Sequence, residues 1–188
     1  MIRFLLLGTS VPEDGYAILW GIDLETYSIV KMQASFGVAY KMQVYCEYTV
    51  ECEMIGNGTP TFLIEKIVKE KNYGREQVLD VLDFIASYSR TFISEVETWM
   101  LAKVDECKKI NVYHQYAELQ ISIAGIREQY FTIENLDWRW EKYWHDQASY
   151  ADCSLITNYL NNSNVYMLIE HKKNSLGKAH KCMVMLVV

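Results

Sequence analysis

The hydrophobic pattern from Arg75 to Lys109 is the longest in the chain that repeats every three or four residues, which is the period of an α-helix. Its apolar row consists of Val78, Val81, Leu82, Ile85, Tyr88, Phe92, Val96, Trp99, Met100, Val104 and Cys107. Charged residues fill the positions between them, so the pattern predicts a helix with one buried face. Acidic residues are concentrated near its start and two lysines lie at its end, which is the arrangement that the helix dipole favours. Weak helix formers between Ser87 and Thr91 leave open whether this segment is one helix or two.

Residues 36–54 follow a different pattern, in which apolar and polar side chains alternate as they do along a strand with one buried face. The apolar side chains occupy the even positions, from Phe36 to Met54. A single strand of this length would far exceed the usual size, so we expect it to bend, bulge or split near Tyr45. Its polar face carries the most acidic strand surface in the prediction, formed by Glu47, Glu51 and Glu53.

Shorter patterns predict the remaining elements. A helix is expected from Thr59 and Pro60, which are typical of a helix start, to just before Gly74. Two further helices are expected at Leu136–Asp146 and Tyr150–Leu160. The predicted strands are Ile2–Leu7, Tyr16–Ile22, Tyr27–Gln33, Val112–Ala124, Val165–Glu170 and Cys182–Val188.

Together these elements predict an α+β fold, with a mostly antiparallel sheet of about six to seven strands. The long central helix and three shorter helices would pack on that sheet. We expect one domain over residues 1–188, a usual length for a single domain. It would comprise an N-terminal meander (1–55), a helical pair (60–109) and a strand–helix–helix–hairpin segment (112–188). The sequence shows no internal repeat.

Charge and cysteine content narrow the classes of function. The net charge of -6 makes this an acidic protein and argues against a general nucleic-acid binder, which is normally basic. The five cysteines are odd in number and widely spaced, which favours reduced thiols and a cytoplasmic location over a disulfide framework. No stretch approaches the roughly 18 apolar residues of a membrane-spanning helix.

The most unusual local composition is Trp-Arg-Trp-Glu-Lys-Tyr-Trp-His at residues 138–145. On a helix, Trp138 and Arg139 would face away from the side that carries Leu136 and Trp140. The segment is then an aromatic contact patch for a protein or for single-stranded bases, with Lys142 nearby. The alternative is a helix that is anchored in the core by its large aromatic residues.

Other candidate sites lack the partners that their chemistry needs. Asp23 follows an apolar strand, as a metal-binding aspartate does in some nucleases, but no second strand-end carboxylate accompanies it. Cys153 lies near His145 in sequence, without a signature of a thiol nucleophile. Gly8-Thr9-Ser10 lacks the further glycines and the lysine of a phosphate-binding loop. Cys46 and Cys52 with His180 and Cys182 lack the paired spacing of zinc ligands. We therefore predict no catalytic residue, no metal and no cofactor.

The leading hypothesis is a non-enzymatic protein-interaction module, an inhibitor or immunity-type factor that masks a surface of another protein. An acidic face suits a basic, nucleic-acid-handling partner. The predicted partner-binding residues are Glu47, Glu51, Glu53, Trp138, Arg139 and Lys142. One alternative is an enzyme acting on a nucleotide or nucleic acid, with Asp23 as metal ligand or Cys153 as nucleophile. Another is a single-strand binder that uses Trp138 and Trp140. The sequence leaves homodimer formation open.

Overall fold

The structure is a computed structural model that describes residues 1–10, 12–55, 61–89, 98–112, 116–123, 126–134, 154–172 and 179–188. The described chain is mostly β-sheet and divides into two compact units, Met1–Val78 and Leu79–Val188. The strands are β1 (Ile2–Thr9), β2 (Tyr16–Asp23), β3 (Ile29–Ser35), β4 (Cys46–Ile55), β5 (Thr61–Asn72), β6 (Thr98–Val112), β7 (Tyr116–Ile123), β8 (Ile126–Glu134), β9 (Val165–Lys172) and β10 (Ala179–Val187). The helices are α1 (Phe36–Ala39), α2 (Arg75–Ser89) and α3 (Ser154–Asn161).

Strands β1 to β5 form a closed barrel in the order β1-β2-β3-β5-β4, which we call the first barrel. β4 closes it by pairing back onto β1. Neighbouring strands run antiparallel, except that β3 and β5 are parallel. A five-stranded Greek-key barrel with this order is the OB-fold.

Strands β6 to β10 form a second closed barrel in the order β6-β7-β8-β10-β9. β8 and β10 are its parallel pair, and β9 pairs back onto β6. Along the chain, α3 follows the third strand of this barrel and precedes the fourth, and α1 has the same place in the first barrel. The chain therefore repeats one topology twice, although its sequence shows no internal repeat.

The interior of the first barrel is apolar. The core side chains come from all five strands and from the segment around α1: Phe4, Leu6, Ala17, Leu19, Val30, Met32, Ala34, Ala39, Met42, Cys46, Tyr48, Val50 and Ile64. Gly21 pairs with Leu6 of β1, and a Cβ placed on Gly21 would lie 2.6 Å from Cδ2 of Phe4 and 2.8 Å from the carbonyl oxygen of Leu5. Glycine is thus required where β1 and β2 approach each other.

The predicted α+β fold is wrong, and the long central helix is the main error. α2 ends at Ser89, and Thr98–Val112 is strand β6. The physical reason is a pair of β-bulges. The pairing register with β7 skips Asp105 and Lys108. Val104, Cys107 and Ile110 are spaced three residues apart along β6. Their partners on β7, Ile123, Ile121 and Leu119, are spaced two residues apart. Each bulge adds one residue to a period of two, and the resulting period of three resembles a helix.

The helix predicted before Gly74 is wrong for the same reason, because Thr61–Asn72 is strand β5. Glu65 and Val68 are passed over in the pairing with β4. Ile64 and Ile67, which pack in the core, are consequently three residues apart. The predicted helical pair over residues 60–109 is therefore reduced to α2.

The predicted strand over residues 36–54 splits, as expected, but its first part is the short helix α1. Tyr45 has a backbone φ of 65°, which ends any extended run before β4 begins. The buried hydroxyl of Tyr48 accepts a hydrogen bond of 2.7 Å from the backbone N–H of Gln43 and tethers this connection.

The other predicted elements agree more closely. The strands predicted at Ile2–Leu7, Tyr16–Ile22 and Val165–Glu170 are confirmed within β1, β2 and β9. The helix predicted at Tyr150–Leu160 is present as α3, whereas Leu136–Asp146 lies outside the described residues. The organisation of residues 1–188 as a single domain stays a prediction. No helix in the described ranges is long and apolar enough to cross a membrane.

Candidate interaction surface

Three aromatic side chains are exposed at one end of the first barrel, and we call Tyr16, Phe36 and Tyr40 the aromatic surface. Their exposed fractions are 44%, 51% and 80%. Tyr16 begins β2 and pairs with Ser35, the last residue of β3, and Phe36 follows directly as the first residue of α1. The rings of Phe36 and Tyr40 lie 5.7 Å apart between centroids. The barrel thus brings the backbones of Tyr16 and Phe36 together, and each of the three aromatic side chains is exposed to solvent.

The short helix α1 explains why these rings point outward. The backbone N–H of Tyr40 donates a 2.9 Å hydrogen bond to the carbonyl of Phe36, which places the two side chains one helical turn apart. Ala39 is buried and Val38 packs against the core, so the opposite side of α1 faces the barrel. Phe36 and Tyr40 were predicted to belong to a buried row, and that prediction is wrong.

A tight turn with two acidic residues, Glu13 and Asp14, adjoins the backbone of Tyr16 and Phe36. Glu13 and Tyr16 exchange backbone hydrogen bonds of 2.8 and 3.0 Å, and the residues between them, Asp14 and Gly15, have φ values of 50° and 81°. Positive φ at both central positions is typical of a type I′ turn, which Asp-Gly favours. The N–H of Phe36 donates a 2.8 Å hydrogen bond to the carbonyl of Gly15 and so ties α1 to the turn. The side chains of Glu13 and Asp14 are exposed.

The acidic strand face predicted on β4 is opposed by a basic row on β5. Glu47 pairs with Lys71 and Glu51 pairs with Lys66, while Glu53 pairs with Leu63. Directly opposed residues of antiparallel strands project from the same side of the sheet, so the lysines offset the negative charge there. Glu51 and Glu53 are exposed.

Glu47 contacts neighbouring side chains within the first barrel. Its Oε2 accepts a 2.8 Å hydrogen bond from the hydroxyl of Tyr73, and its Oε1 lies 3.6 Å from Nε of Arg3. Its side chain is only 13% exposed. Burial, together with this hydrogen bond, raises the pKa of the Tyr73 hydroxyl. Nζ of Lys71 lies 5.2 Å from the centre of the Tyr73 ring. Glu47 therefore joins β1 and β4 to the residue that follows β5.

The side chain of Asp23 stabilises the turn that begins at this residue. Its Oδ1 accepts hydrogen bonds from the backbone N–H groups of Glu25, at 2.7 Å, and Thr26, at 3.1 Å. This is the arrangement of an Asx-turn. Ser10, the last residue of the Gly8-Thr9-Ser10 segment, is also used structurally, because its Oγ accepts a 3.0 Å hydrogen bond from the N–H of Ile18.

Cys46 and Cys107 are buried, and Cys52 is partly buried. Cys46 is buried and its thiol donates a 2.8 Å hydrogen bond to Oδ1 of Asn72. Burial raises the pKa of the Cys46 thiol, which keeps it protonated and unreactive. Cys46 and Cys52 lie on β4 of the first barrel, whereas His180 and Cys182 lie on β10 of the second. Within the described ranges, no group of histidine, cysteine, aspartate and glutamate side chains is arranged to hold a metal ion.

In the second unit, polar side chains fix helices to strands. Nζ of Lys103 on β6 and the hydroxyl of Tyr166 on β9 both donate to Oδ1 of Asp83 on α2, at 2.8 and 2.7 Å. Partial burial alone would raise the pKa of Asp83, but these two hydrogen bonds hold it below its usual value. Burial, and then the bond to Asp83, raises the pKa of Tyr166 far above its usual range.

A second polar contact fixes α3 to β6. The side-chain amide of Asn161 accepts from the N–H of Cys107 at 2.7 Å and donates to its carbonyl at 3.0 Å. β9 pairs with β6 only as far as Lys103, so Asn161 satisfies backbone groups that lie beyond that pairing. These contacts stabilise the fold.

The remaining predicted site residues lie outside the described residues. These are Trp138, Trp140, Arg139, Lys142 and Cys153. Sequence reasoning missed the aromatic surface because the even-numbered apolar positions from residue 36 onward were interpreted as one strand. Two signals in the sequence mark it. They are the four-residue spacing of Phe36 and Tyr40, and the Asp14-Gly15 pair that predicts a type I′ turn beside Tyr16.

No known protein family matches the chain, and no curated protein is similar to it in sequence. Several solved structures are similar in fold. The tetrameric p202 HIN2 is 7% identical, with 99% of this chain and 91% of that chain covered and a TM-score of 0.45. A murine DNA-binding protein bound to double-stranded DNA is 9% identical, with 100% and 94% covered and a TM-score of 0.45. A replication protein A heterotrimer bound to single-stranded DNA is 9% identical, with 99% and 48% covered and a TM-score of 0.47. Because these similarities are low, the fold is assigned from the strand order of each barrel.

Proposed function

We propose that this chain is a non-enzymatic binding module that masks a surface of another protein, as an inhibitor or immunity-type factor does. The observation that carries the proposal is the aromatic surface formed by Tyr16, Phe36 and Tyr40. Aromatic side chains supply much of the binding energy at protein interfaces. Clustered exposed aromatic rings are costly to leave in water, so they commonly mark contact sites.

The position of the aromatic surface supports a binding role. Barrels of this fold commonly bind their ligands along the second and third strands and at the loop between the first two. Tyr16 begins the second strand, Ser35 ends the third, and the turn at Asp14 belongs to that loop. This support comes from the fold by analogy, and the side chains carry the rest.

Charge favours a protein over a nucleic acid as the partner. The chain has a net charge of -6, and the exposed carboxylates of Glu13 and Asp14 adjoin the aromatic surface. Phosphate groups would be repelled there, whereas nucleic-acid binders gain most of their affinity from lysine and arginine. Glu51, Glu53, Trp138, Arg139 and Lys142 stay proposed as additional contact residues.

Single-stranded nucleic-acid binding is the second candidate, and the strand order of the two barrels favours it. OB-fold barrels bind oligonucleotides, and exposed aromatic rings stack on bases. In that case Tyr16, Phe36 and Tyr40, or Trp138 and Trp140, would stack on successive bases. The hydrogen bonds that Asp23 makes within its own turn lend no support to the enzymatic alternative.

Affinity capture from the native host tests the proposal, with the full chain as bait. The matched bait carries Tyr16→Ser, Phe36→Ser and Tyr40→Ser together. We expect the unaltered chain to recover a protein that the triple variant does not, and that purified protein to bind directly. Recovery of nucleic acid instead, with an affinity for a labelled oligothymidine that falls steeply with salt, would favour the second candidate.

A further inference from the structure

We propose that the aromatic surface and the adjoining carboxylates of Glu13 and Asp14 together bind a basic segment of the partner protein. Arginine and lysine side chains of that segment would lie between the rings and the carboxylates. This inference rests on the proposed function and specifies the chemistry of the partner.

The turn that carries the two carboxylates is tied through its backbone to residues that carry the rings. Glu13 pairs with Tyr16 through two backbone hydrogen bonds, and the carbonyl of Gly15 accepts a hydrogen bond from the N–H of Phe36. The acids are therefore tied by short backbone contacts to both Tyr16 and α1. Because the backbone of the turn is positioned before binding, ordering it costs little conformational entropy when a partner binds.

Rings and carboxylates in this arrangement recognise the same kind of group. The face of a tyrosine or phenylalanine ring attracts a guanidinium or ammonium group, and a carboxylate pairs with it through charge-assisted hydrogen bonds. Lys41 follows Tyr40 and is exposed. Its positive charge opposes such a ligand, but the two carboxylates outweigh it.

The same charges disfavour the two other obvious occupants. Phosphates of a nucleic acid would meet Glu13 and Asp14. A second copy of this chain, docked about a two-fold axis through the aromatic surface, would bring its own Glu13 and Asp14 against these. Like charges in such a contact destabilise it.

Selection from a random displayed peptide library, with the full chain as bait, tests the inference even while the partner protein is unidentified. An enriched peptide is then labelled and titrated by fluorescence anisotropy against three variants. The first is Glu13→Gln with Asp14→Asn, which keeps the turn because asparagine tolerates positive φ. The second is Tyr40→Ser. The matched control is Glu65→Gln with Glu70→Gln, two exposed residues of β5, which removes the same charge from that strand.

We expect the enriched peptides to be rich in arginine or lysine. The Glu13→Gln/Asp14→Asn variant should bind such a peptide about tenfold more weakly, and Tyr40→Ser should do the same. The control should stay within about twofold of the unaltered chain. Added salt should weaken binding of the unaltered chain more than binding of the Glu13→Gln/Asp14→Asn variant.

The outcomes separate this inference from the proposed function. Peptides without basic residues, or equal binding by the Glu13→Gln/Asp14→Asn variant while Tyr40→Ser loses affinity, would overturn the inference and leave the binding module in place. A library that yields no peptide dependent on Tyr40 contradicts the inference as well. Tight binding of an oligothymidine through Tyr40 would overturn both.

Discussion

The two barrels share one strand order but differ in how their helices are fixed and in what those helices expose. α1 of the first barrel is tied to the neighbouring turn by a backbone hydrogen bond to Gly15 and leaves Phe36 and Tyr40 exposed. α3, at the equivalent place in the second barrel, ends at Asn161, whose side chain pairs with the backbone of β6. The same topology thus carries exposed aromatic side chains in one barrel and a side-chain contact between helix and strand in the other. Strand order alone therefore does not assign a role, and the side chains do.

The largest effect expected is on the packing of the first barrel, from Gly21→Ala. The added Cβ would meet Phe4 and the backbone of Leu5, so we expect unfolding to become easier by about 3 kcal/mol. The matched control is Gly37→Ala, since no atom lies within 4 Å of a Cβ there. Urea unfolding measures both. Equal stability of the two variants would show that β1 and β2 do not approach as closely as described.

In the second barrel, Asn161→Ala tests the side-chain contact between α3 and β6. It removes two hydrogen bonds from the backbone of buried Cys107, and we expect a loss of about 2 kcal/mol in the free energy of unfolding. Asn162→Ala is the control, because Asn162 donates one exposed hydrogen bond to Asn158 and should cost less than about 1 kcal/mol. Thermal unfolding of both variants gives the comparison, and a reversed order of stability would refute this role for Asn161.

Asp83→Asn tests whether a charged group fixes α2 to β6 and β9. The carboxylate is half exposed, so solvent screening limits the expected loss to about 1 kcal/mol at neutral pH. The folded pKa of Asp83 is lowered, so its stabilisation is present above the unfolded value of about 3.9 and is lost as the pH falls through the folded value. We therefore expect the difference from the unaltered chain to shrink to zero in acid. Unfolding in urea across a pH series measures it, with Asp80→Asn as control, and a difference that persists in strong acid would argue against a role for the Asp83 charge.

The smallest effect on stability is expected from Tyr40→Ser. The side chain is 80% exposed, so the free energy of unfolding should change by less than about 0.5 kcal/mol. Tyr48→Phe is the contrast within the same segment, because it removes a buried hydroxyl that binds the N–H of Gln43 and should cost about 1 kcal/mol or more. If Tyr40→Ser were the more costly change in thermal unfolding, Tyr40 would be a packing residue and not a contact residue.

The two barrels also differ from the prediction in ways that show which features a sequence reveals. Strands in which no residue is skipped in the pairing, such as β2 and β9, were predicted close to their observed bounds. β5 and β6 were misassigned because bulges at Glu65, Val68, Asp105 and Lys108 space their pairing residues three apart. Sequence periodicity alone does not distinguish such a strand from a short amphipathic helix.

For the candidate surface, local charge was visible in the sequence, but its environment was not. The acids of β4 were predicted to lie together on one face, yet the lysines that oppose them come from β5, which was predicted as a helix. The exposure of Phe36 and Tyr40 depends on one turn of helix, too short to be predicted from its composition. Strand pairing therefore decides which charges remain unbalanced and which rings stay exposed.

The binding role of the aromatic surface is tested most sharply by the affinity of the captured partner protein for two chains, measured by calorimetry. These are the unaltered chain and the Tyr16→Ser/Phe36→Ser/Tyr40→Ser variant. We predict at least about a tenfold loss of affinity in the variant, with an unchanged unfolding midpoint. Equal affinity of the two chains would contradict this role and place the partner's binding site elsewhere on the protein.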